Sequence, residues 1–240
     1  PGSTGDAIRW GRELGAAFGN MGAYQGYAAV AYPQGQLLSW TTLEKGGILV
    51  GETGRRFGNE DLGYSGFAAH VLDQGEFAWA IYDARIHDIA EAEEEYAEMA
   101  TMGAVSWAES PAALAAKVGL DADGLTETIA AYNSAALNDG TDEFGRTAFA
   151  LAPLQPPFAA VRVKPGLFHT QGGVLVDNEA RVRRSTGGTV PNLFAGGGAA
   201  AGISGRDGAH GYASGNGLIT ALVLGRRAGL TAMKEIAAEP

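Results

Sequence analysis

The sequence predicts a chain of mixed helix and strand in three pieces, an α+β unit at about residues 33–155 being inserted between two others. Three observations predict it. Short apolar runs alternate with segments that carry helix start and stop signals. The composition shifts after Tyr32-Pro33 and again at Pro156-Pro157. The 37 glycines sit in turns and loops without a period, which excludes a collagen-like chain or a flexible linker.

At 240 residues there is room for one large domain or two smaller ones, and 46% hydrophobic residues suffice for a core. Seventeen basic against 27 acidic residues give a formal charge of -10, the wrong sign for a nucleic-acid groove. With no cysteine there are no disulfides, Cys-ligated zinc, iron–sulfur clusters or thiolate catalysis. No apolar run approaches the roughly 18 residues of a membrane span, and residues 1–16 lack the pattern of a signal peptide. The expected location is cytoplasmic.

In chain order, Ser3 or Thr4 can cap a helix over Asp6–Leu14, with Asp6 suited to its first turn. Tyr24–Tyr32 reads as a buried strand stopped by Pro33 and Gly35. Gly46–Val50, a Gly-Glu-Thr-Gly turn and Arg55–Phe57 read as strand, turn, strand. Ser65–Asp73 is a short helix and Phe77–Asp83 a strand. Ala90–Met99 is an acidic helix whose glutamates form a solvated face rather than a metal site. Ser110-Pro111 starts a helix running to about Val118, and Asp121 or Asp123 caps another over Leu125–Leu137. Strands follow at Phe158–Val163, at Val174–Val176 paired with Ala180–Arg183, and at Pro191–Ala195.

The densest feature is the stretch 196–229. Its glycines give way to an apolar helix from about Gly217 to Ala237, expected to be buried and capped by Ser214 or Asn216. Glycines ahead of a helix let backbone N–H groups approach an anion or a polarised oxygen.

Several motifs fall in order: Gly2-Ser3-Thr4-Gly5-Asp6, Gly54-Arg55-Arg56-Phe57 with Asn59-Glu60, Tyr132-Asn133, His169-Thr170-Gln171-Gly172-Gly173, Pro191–Gly198, and Gly215-Asn216-Gly217-Leu218 with Leu224-Gly225-Arg226. In this order and spacing the chain resembles the flavoprotein family of fumarate reductase and succinate dehydrogenase, which includes the 3-ketosteroid dehydrogenases. The resemblance implies α/β and α+β architecture. Residues 1–31 and 157–240 would be the middle and C-terminal segments of an FAD-binding domain, and 32–156 an inserted capping domain. The family's Gly-x-Gly-x-x-Gly cradle for the pyrophosphate has no counterpart in this sequence. The opening at Pro1 reads as the interior of a longer fold, with a missing N-terminal segment or a second polypeptide as partner.

The resemblance also assigns residues. Gly5, Asp6, Gly197, Gly198, Ser214, Gly215, Asn216, Gly217 and Leu218 would hold FAD, with Gly198 standing where the family usually has a glutamate. The family's proton-donor arginine falls on Tyr64, its carboxylate-gripping arginine on Tyr212 and a cap histidine on Tyr27. His169 matches a substrate-oxygen donor, and Ser214 adds a hydroxyl two residues after Tyr212. A phenol suits a single carbonyl oxygen or an acidic C–H beside one, whereas an arginine fork suits a carboxylate. The implied reaction is hydride transfer between flavin N5 and a C–C bond next to a carbonyl of a small-molecule substrate, as in 3-ketosteroid dehydrogenation. Arg206 offers an anion grip from another direction, or a surface ion pair with Asp207. With His169 it supports the alternative of a fumarate- or urocanate-type reductase. A further alternative is an inactive fragment separated from its FAD-binding N-terminal half. Tyr64 as cap packing and His169 as a backbone-bonded turn residue are the structural readings beside these roles.

Overall fold

The structure, a computed structural model, describes residues 3–138, 140–205, the backbone of 207–208, and 215–238. In chain order it runs α1 (Asp6–Glu13), β1 (Phe18–Gly19), β2 (Gly22–Ala31), α2 (Thr41–Glu44), β3 (Ile48–Val50), a 3₁₀ turn (Glu60–Leu62), α3 (Gly63–Gly66) and α4 (Ala68–Leu72). It continues with β4 (Ala78–Asp83), α5 (Ala84–Ala90), α6 (Glu94–Thr101), β5 (Val105–Ala108), α7 (Pro111–Val118), α8 (Ala122–Leu137) and β6 (Phe158–Thr170). Last come β7 (Gly173–Val174), β8 (Arg181–Arg183), β9 (Thr189–Phe194), a 3₁₀ turn (Gly197–Ala199), β10 (Asp207–Gly208) and α9 (Asn216–Ala238). No described helix is long and apolar enough to cross a membrane.

Two compact units result: residues 1–25 with 167–240, and residues 26–166. The divisions fall inside β2 and β6, so each of these strands contributes to both units.

The unit of residues 26–166 holds the large core. β6 pairs antiparallel with β4, Ile81 opposite Ala160, and with β5, Trp107 opposite Ala159. Small residues on β6 thus face large ones on both neighbours, which interdigitates the side chains. β3 extends the sheet antiparallel to β4, Leu49 opposite Ala80. Every residue of β4 is buried, because α2 and α5 pack on it. Helix starts follow their capping chemistry. Ser110 Oγ accepts the Ala113 N–H at 3.2 Å ahead of Pro111, and Asp121 Oδ1 accepts the Asp123 N–H at 3.1 Å.

The other unit has a small core of Ala16, Val174, Val182 and Val190, with Phe18, Val176, Leu193 and Ala195 packed around it. β1 pairs with β7, and β8 with β9.

Several expectations are corrected. α1 is capped by no side chain: Gly5, at φ 77°, is its N-cap, and Thr4 instead donates to Asp6. Arg55–Phe57 forms no strand, only a bridge between Arg56 and Val50, because the Arg56 side chain turns inward to buried carboxylates. The acidic helix expected over Ala90–Met99 is α6, starting only at Glu94, and an unexpected helix, α5, precedes it, capped by Asp83 through the Ile86 N–H. Ala180–Arg183 meets Val174–Val176 only through the Val176–Val182 bridge and pairs mainly with β9. The expected burial of the last helix fails: Thr231 is the one buried residue of α9 among those described.

Candidate functional site

The unit of residues 1–25 and 167–240 contains a cleft of about 720 Å³. One wall is the start of α1, residues 3–8. Gly5 O accepts the Ile8 and Arg9 N–H groups at 3.0 and 3.1 Å, which fixes the helix entry. The Asp6 carboxyl is held below its ordinary value by hydrogen bonds from Thr4 Oγ1 at 2.7 Å and from Arg9. A second wall is the end of β6 with the residues after it, 167–172, and a third is Gly197–Ala200 with Gly202. Gly217 and Thr220, in the first turns of α9, close the outline.

His169 and Gln171 join these walls. Their side chains meet at 3.2 Å between Nε2 atoms, the direction of the bond following the imidazole tautomer. The Gln171 backbone donates to Ala23 O and accepts from Gly202 N, both at 2.8 Å. A Cβ at position 202 would lie 1.8 Å from Gln171 Oε1, so any larger residue there displaces the Gln171 side chain. At Gly217 a Cβ would stand 3.9 Å from His169 Cε1, so His169 reaches the first turn of α9.

The structure therefore gathers Gly5, Asp6, His169, Gly197, Gly198 and Gly217 around one cleft. Gly215, Asn216 and Leu218 do not line it. Gly215 O accepts the Ile219 N–H at 3.0 Å, the Asn216 side chain donates to Ser204 Oγ, and Leu218 is 75% exposed. Tyr212, Ser214 and Arg206 lie outside the described residues. Gln171, Thr220 and Phe168 line the cleft without having been singled out by sequence. Gln171 was visible inside the His-Thr-Gln-Gly-Gly motif, whereas Phe168 and Thr220 carry no signal of their own.

The cleft suits the ring end of a flavin. A Cβ built on Gly5 or Gly198 meets no atom within 4 Å, so glycine leaves free the space a side chain would take. Backbone rather than side chains forms much of the wall, which permits close approach of a flat ring.

Tyr27 and Tyr64 belong to the other unit, where they line a pocket of about 290 Å³ with Ser39, Trp40 and Tyr96. Their ring centroids are 5.1 Å apart with the planes tilted by 32°, and Trp40 stands edge-on to both at 6.4 Å. Trp40 also borders the pocket. The Tyr27 hydroxyl donates to Leu38 O at 2.7 Å, and burial pushes its pKa well above the usual phenol value.

A buried charge cluster fixes the turn that carries Tyr64. Glu60 accepts from Arg56 Nε at 3.1 Å, from Arg146 Nη1 at 3.3 Å and from the Leu49 N–H at 3.0 Å. Arg56 also pairs with Asp142, and Arg146 donates to Leu43 O and Gly47 O. Tyr64 follows Glu60 by four residues, at the start of α3. Among the described residues neither cleft is lined by an arginine or a lysine.

Comparison with known proteins places these features. The family described as "FAD binding domain" matches residues 1–218. The chain is 31% identical over 235 residues to an NADH:fumarate oxidoreductase of Klebsiella pneumoniae (strain 342), covering 97% of this chain and 25% of that protein. It superposes on the open conformation of a flavocytochrome c3 fumarate reductase with a TM-score of 0.71 at 27% identity, covering 97% of this chain and 40% of the other. It superposes on 3-ketosteroid Δ1-dehydrogenase from Sterolibacterium denitrificans, solved with 1,4-androstadiene-3,17-dione, with a TM-score of 0.73 at 25% identity. That match covers 96% of this chain and 47% of the other. The chain thus spans less than half the length of each of these proteins.

Proposed function

We infer that this chain, which belongs to the FAD-binding flavoprotein family of fumarate reductase and succinate dehydrogenase, is part of an oxidoreductase that moves hydrogen across a C–C bond next to a ketone carbonyl. In this reading residues 1–31 and 157–240 belong to an FAD-binding domain, and 32–156 to a capping domain.

The observation that carries the ketone reading is the chemistry of the two clefts. Tyr27, Tyr64, Tyr96 and Trp40 line one with Glu44, Glu93 and Glu95, and His169, Gln171 and Asp6 line the other, with no basic fork among the described residues. A dicarboxylate needs cationic forks, and a carbonyl oxygen needs one or two neutral donors. FAD, when bound, supplies the hydride acceptor at N5. Gly5, Asp6, Gly197, Gly198 and Gly217, which line the cleft, hold its ring end, with Ser214 beside them in sequence. Tyr64 and Tyr212 divide the remaining work, one exchanging a proton with the carbon beside the carbonyl and the other donating to the carbonyl oxygen. His169, held by Gln171, offers a further N–H to substrate oxygen. Tyr27 donates inward to Leu38 O, so its hydroxyl proton is engaged within the unit. A free phenol titrates near ~10, so the tyrosine acting as base depends on a positive field such as a helix N-terminus.

A second reading has its own support: the fumarate-linked relatives match 97% of this chain. In that reading Arg206 and His169 grip an unsaturated acid. A dye-linked assay with FAD present separates the two, using a 3-ketosteroid or simple cyclic ketone against fumarate and succinate. The ketone reading expects turnover with the ketone and at least about 100-fold less with the acids, the typical scale of one lost acid–base or binding group. The reverse order makes the chain part of an acid reductase.

A further inference from the structure

The pocket of about 290 Å³ in the unit of residues 26–166 joins two kinds of lining. One is aromatic. Tyr27, Trp40 and Tyr64 border it, and Tyr27 and Trp40 are only 5% and 6% exposed. The Tyr27 hydroxyl is tied to Leu38 O, and Phe67 packs on Trp40 at 6.3 Å between ring centroids, so both rings are held in place. The other lining is acidic: Glu44, Glu93 and Glu95. None of the three makes an ion pair among the described residues.

Glutamates at a helix surface most often form a solvated face. Two observations set these apart. Glu93 is the N-cap of α6, yet its carboxylate makes no cap hydrogen bond, although the helix start favours a negative acceptor there. It accepts instead from Thr41 Oγ1 at 2.7 Å, and Thr41 lines the same pocket. The start of α6 is pinned again by the buried Tyr96, whose hydroxyl meets the Tyr82 hydroxyl and His87 Nδ1, both at 2.7 Å. Second, the acidic charge reaches the rings. Burial raises the Tyr27 phenol above its ordinary value, and Glu93 and Glu95 raise it further, so the potential at this ring is negative.

A negative, ring-lined pocket selects by charge and by softness. An acid would meet three like charges, and a neutral ligand would leave them uncompensated. No described group of three acidic or histidine side chains is placed to hold a metal ion. An ammonium group carrying alkyl substituents fits both linings, because aromatic faces attract such cations through their quadrupole and more strongly as water is excluded.

We propose that this pocket binds an organic ammonium group, with Tyr27, Trp40 and Tyr64 against its alkyl shell and Glu44, Glu93 and Glu95 as the countercharge. The ligand class is a substituted amine cation rather than a metal ion or an acid. Where Tyr64 serves the substrate as proposed above, that ammonium belongs to the substrate. The binding itself does not rest on the ketone reading.

Calorimetric titration tests it, without substrate or dye, so that failure of the reaction reading leaves the result intact. The probes are choline, its uncharged isostere 3,3-dimethylbutan-1-ol and the anion 3,3-dimethylbutanoate. Choline is expected to bind at least about tenfold tighter than the alcohol, and the anion not at all. Glu93→Gln combined with Glu95→Gln is expected to weaken choline at least about fivefold and to leave the alcohol unchanged. Tyr64→Phe keeps the ring and is expected to hold choline within about twofold, whereas Tyr64→Leu weakens it at least about threefold. The Phe variant separates this site from the proton chemistry, which the reaction reading assigns to the hydroxyl. Choline bound no tighter than the alcohol would overturn the proposal, as would glutamine or leucine variants without effect. Preference for the anion would also overturn it, making the pocket an acid site.

Discussion

Glu60 is held by two arginines and a backbone N–H in a place with almost no water, and this defines the energetics around Tyr64. Removing one partner from such a cluster leaves an uncompensated buried charge. Glu60→Gln is expected to cost about 3 kcal/mol or more, read as a lower urea midpoint. Asp142 gives the cluster a pH signature. Burial opposes its charge, but the hydrogen bonds from Arg56 and from the Arg146 N–H outweigh it and hold the carboxyl below its ordinary value. A lowered folded pKa means stability that is fully present above about pH 4 and lost as pH falls through the folded value. Asp142→Asn is expected to flatten that acid limb while lowering stability at neutral pH, measured as midpoint against pH. In the other unit, Gly202→Ala drives a Cβ into Gln171 and is expected to cost about 1–3 kcal/mol. Gln171→Ala in the same chain recovers part of that loss, as a double-mutant cycle shows. The Arg-Arg-Phe and Asn-Glu pairs were legible as a motif. Their partners were not, because Asp142 and Arg146 each lie 86 residues along the chain from the arginine or glutamate they meet.

Elements were readable where a cap or a punctuating residue marks them. Ser110-Pro111 places α7 to the residue and Asp121 places the start of α8. Ser110→Ala is expected to lower stability by about 1 kcal/mol, seen as a lower melting temperature, because the Ala113 N–H loses its acceptor. β5 escaped notice because Val105–Ala108 is four residues long and lies between helices. β6 runs to Thr170 rather than stopping at Val163, and Pro165 in the sequence argued for an earlier end. Hydrophobicity alone marked α9 as buried. The positions that pack inward include the polar Asn216, Thr220, Thr231 and Glu235, while Leu218, Leu222, Met233 and Ile236 stay exposed.

At the scale of the whole molecule, the glycine-lined cleft of one unit and the tyrosine pocket of the other were visible in sequence only as ordered motifs. Gly5, His169, Gly197 and Gly217 are separated by up to 212 residues, and only the fold gathers them. In the proposed reading the chain holds the ring end of the flavin, so riboflavin and FAD are expected to bind the isolated chain within about threefold of each other, a difference under 1 kcal/mol. Fluorescence titration reads this, and Gly198→Leu, which fills the cleft, weakens both.

The claim that tyrosines carry the proton chemistry is tested most directly by substrate-dependent bleaching of the flavin band. The protein is loaded with FAD, then mixed with a ring ketone. Tyr64→Phe and Tyr212→Phe are each compared with the unaltered chain. The account predicts bleaching with the unaltered protein and a rate at least about 100-fold lower in at least one variant, with flavin binding unchanged. Bleaching at the unaltered rate in both variants would contradict it.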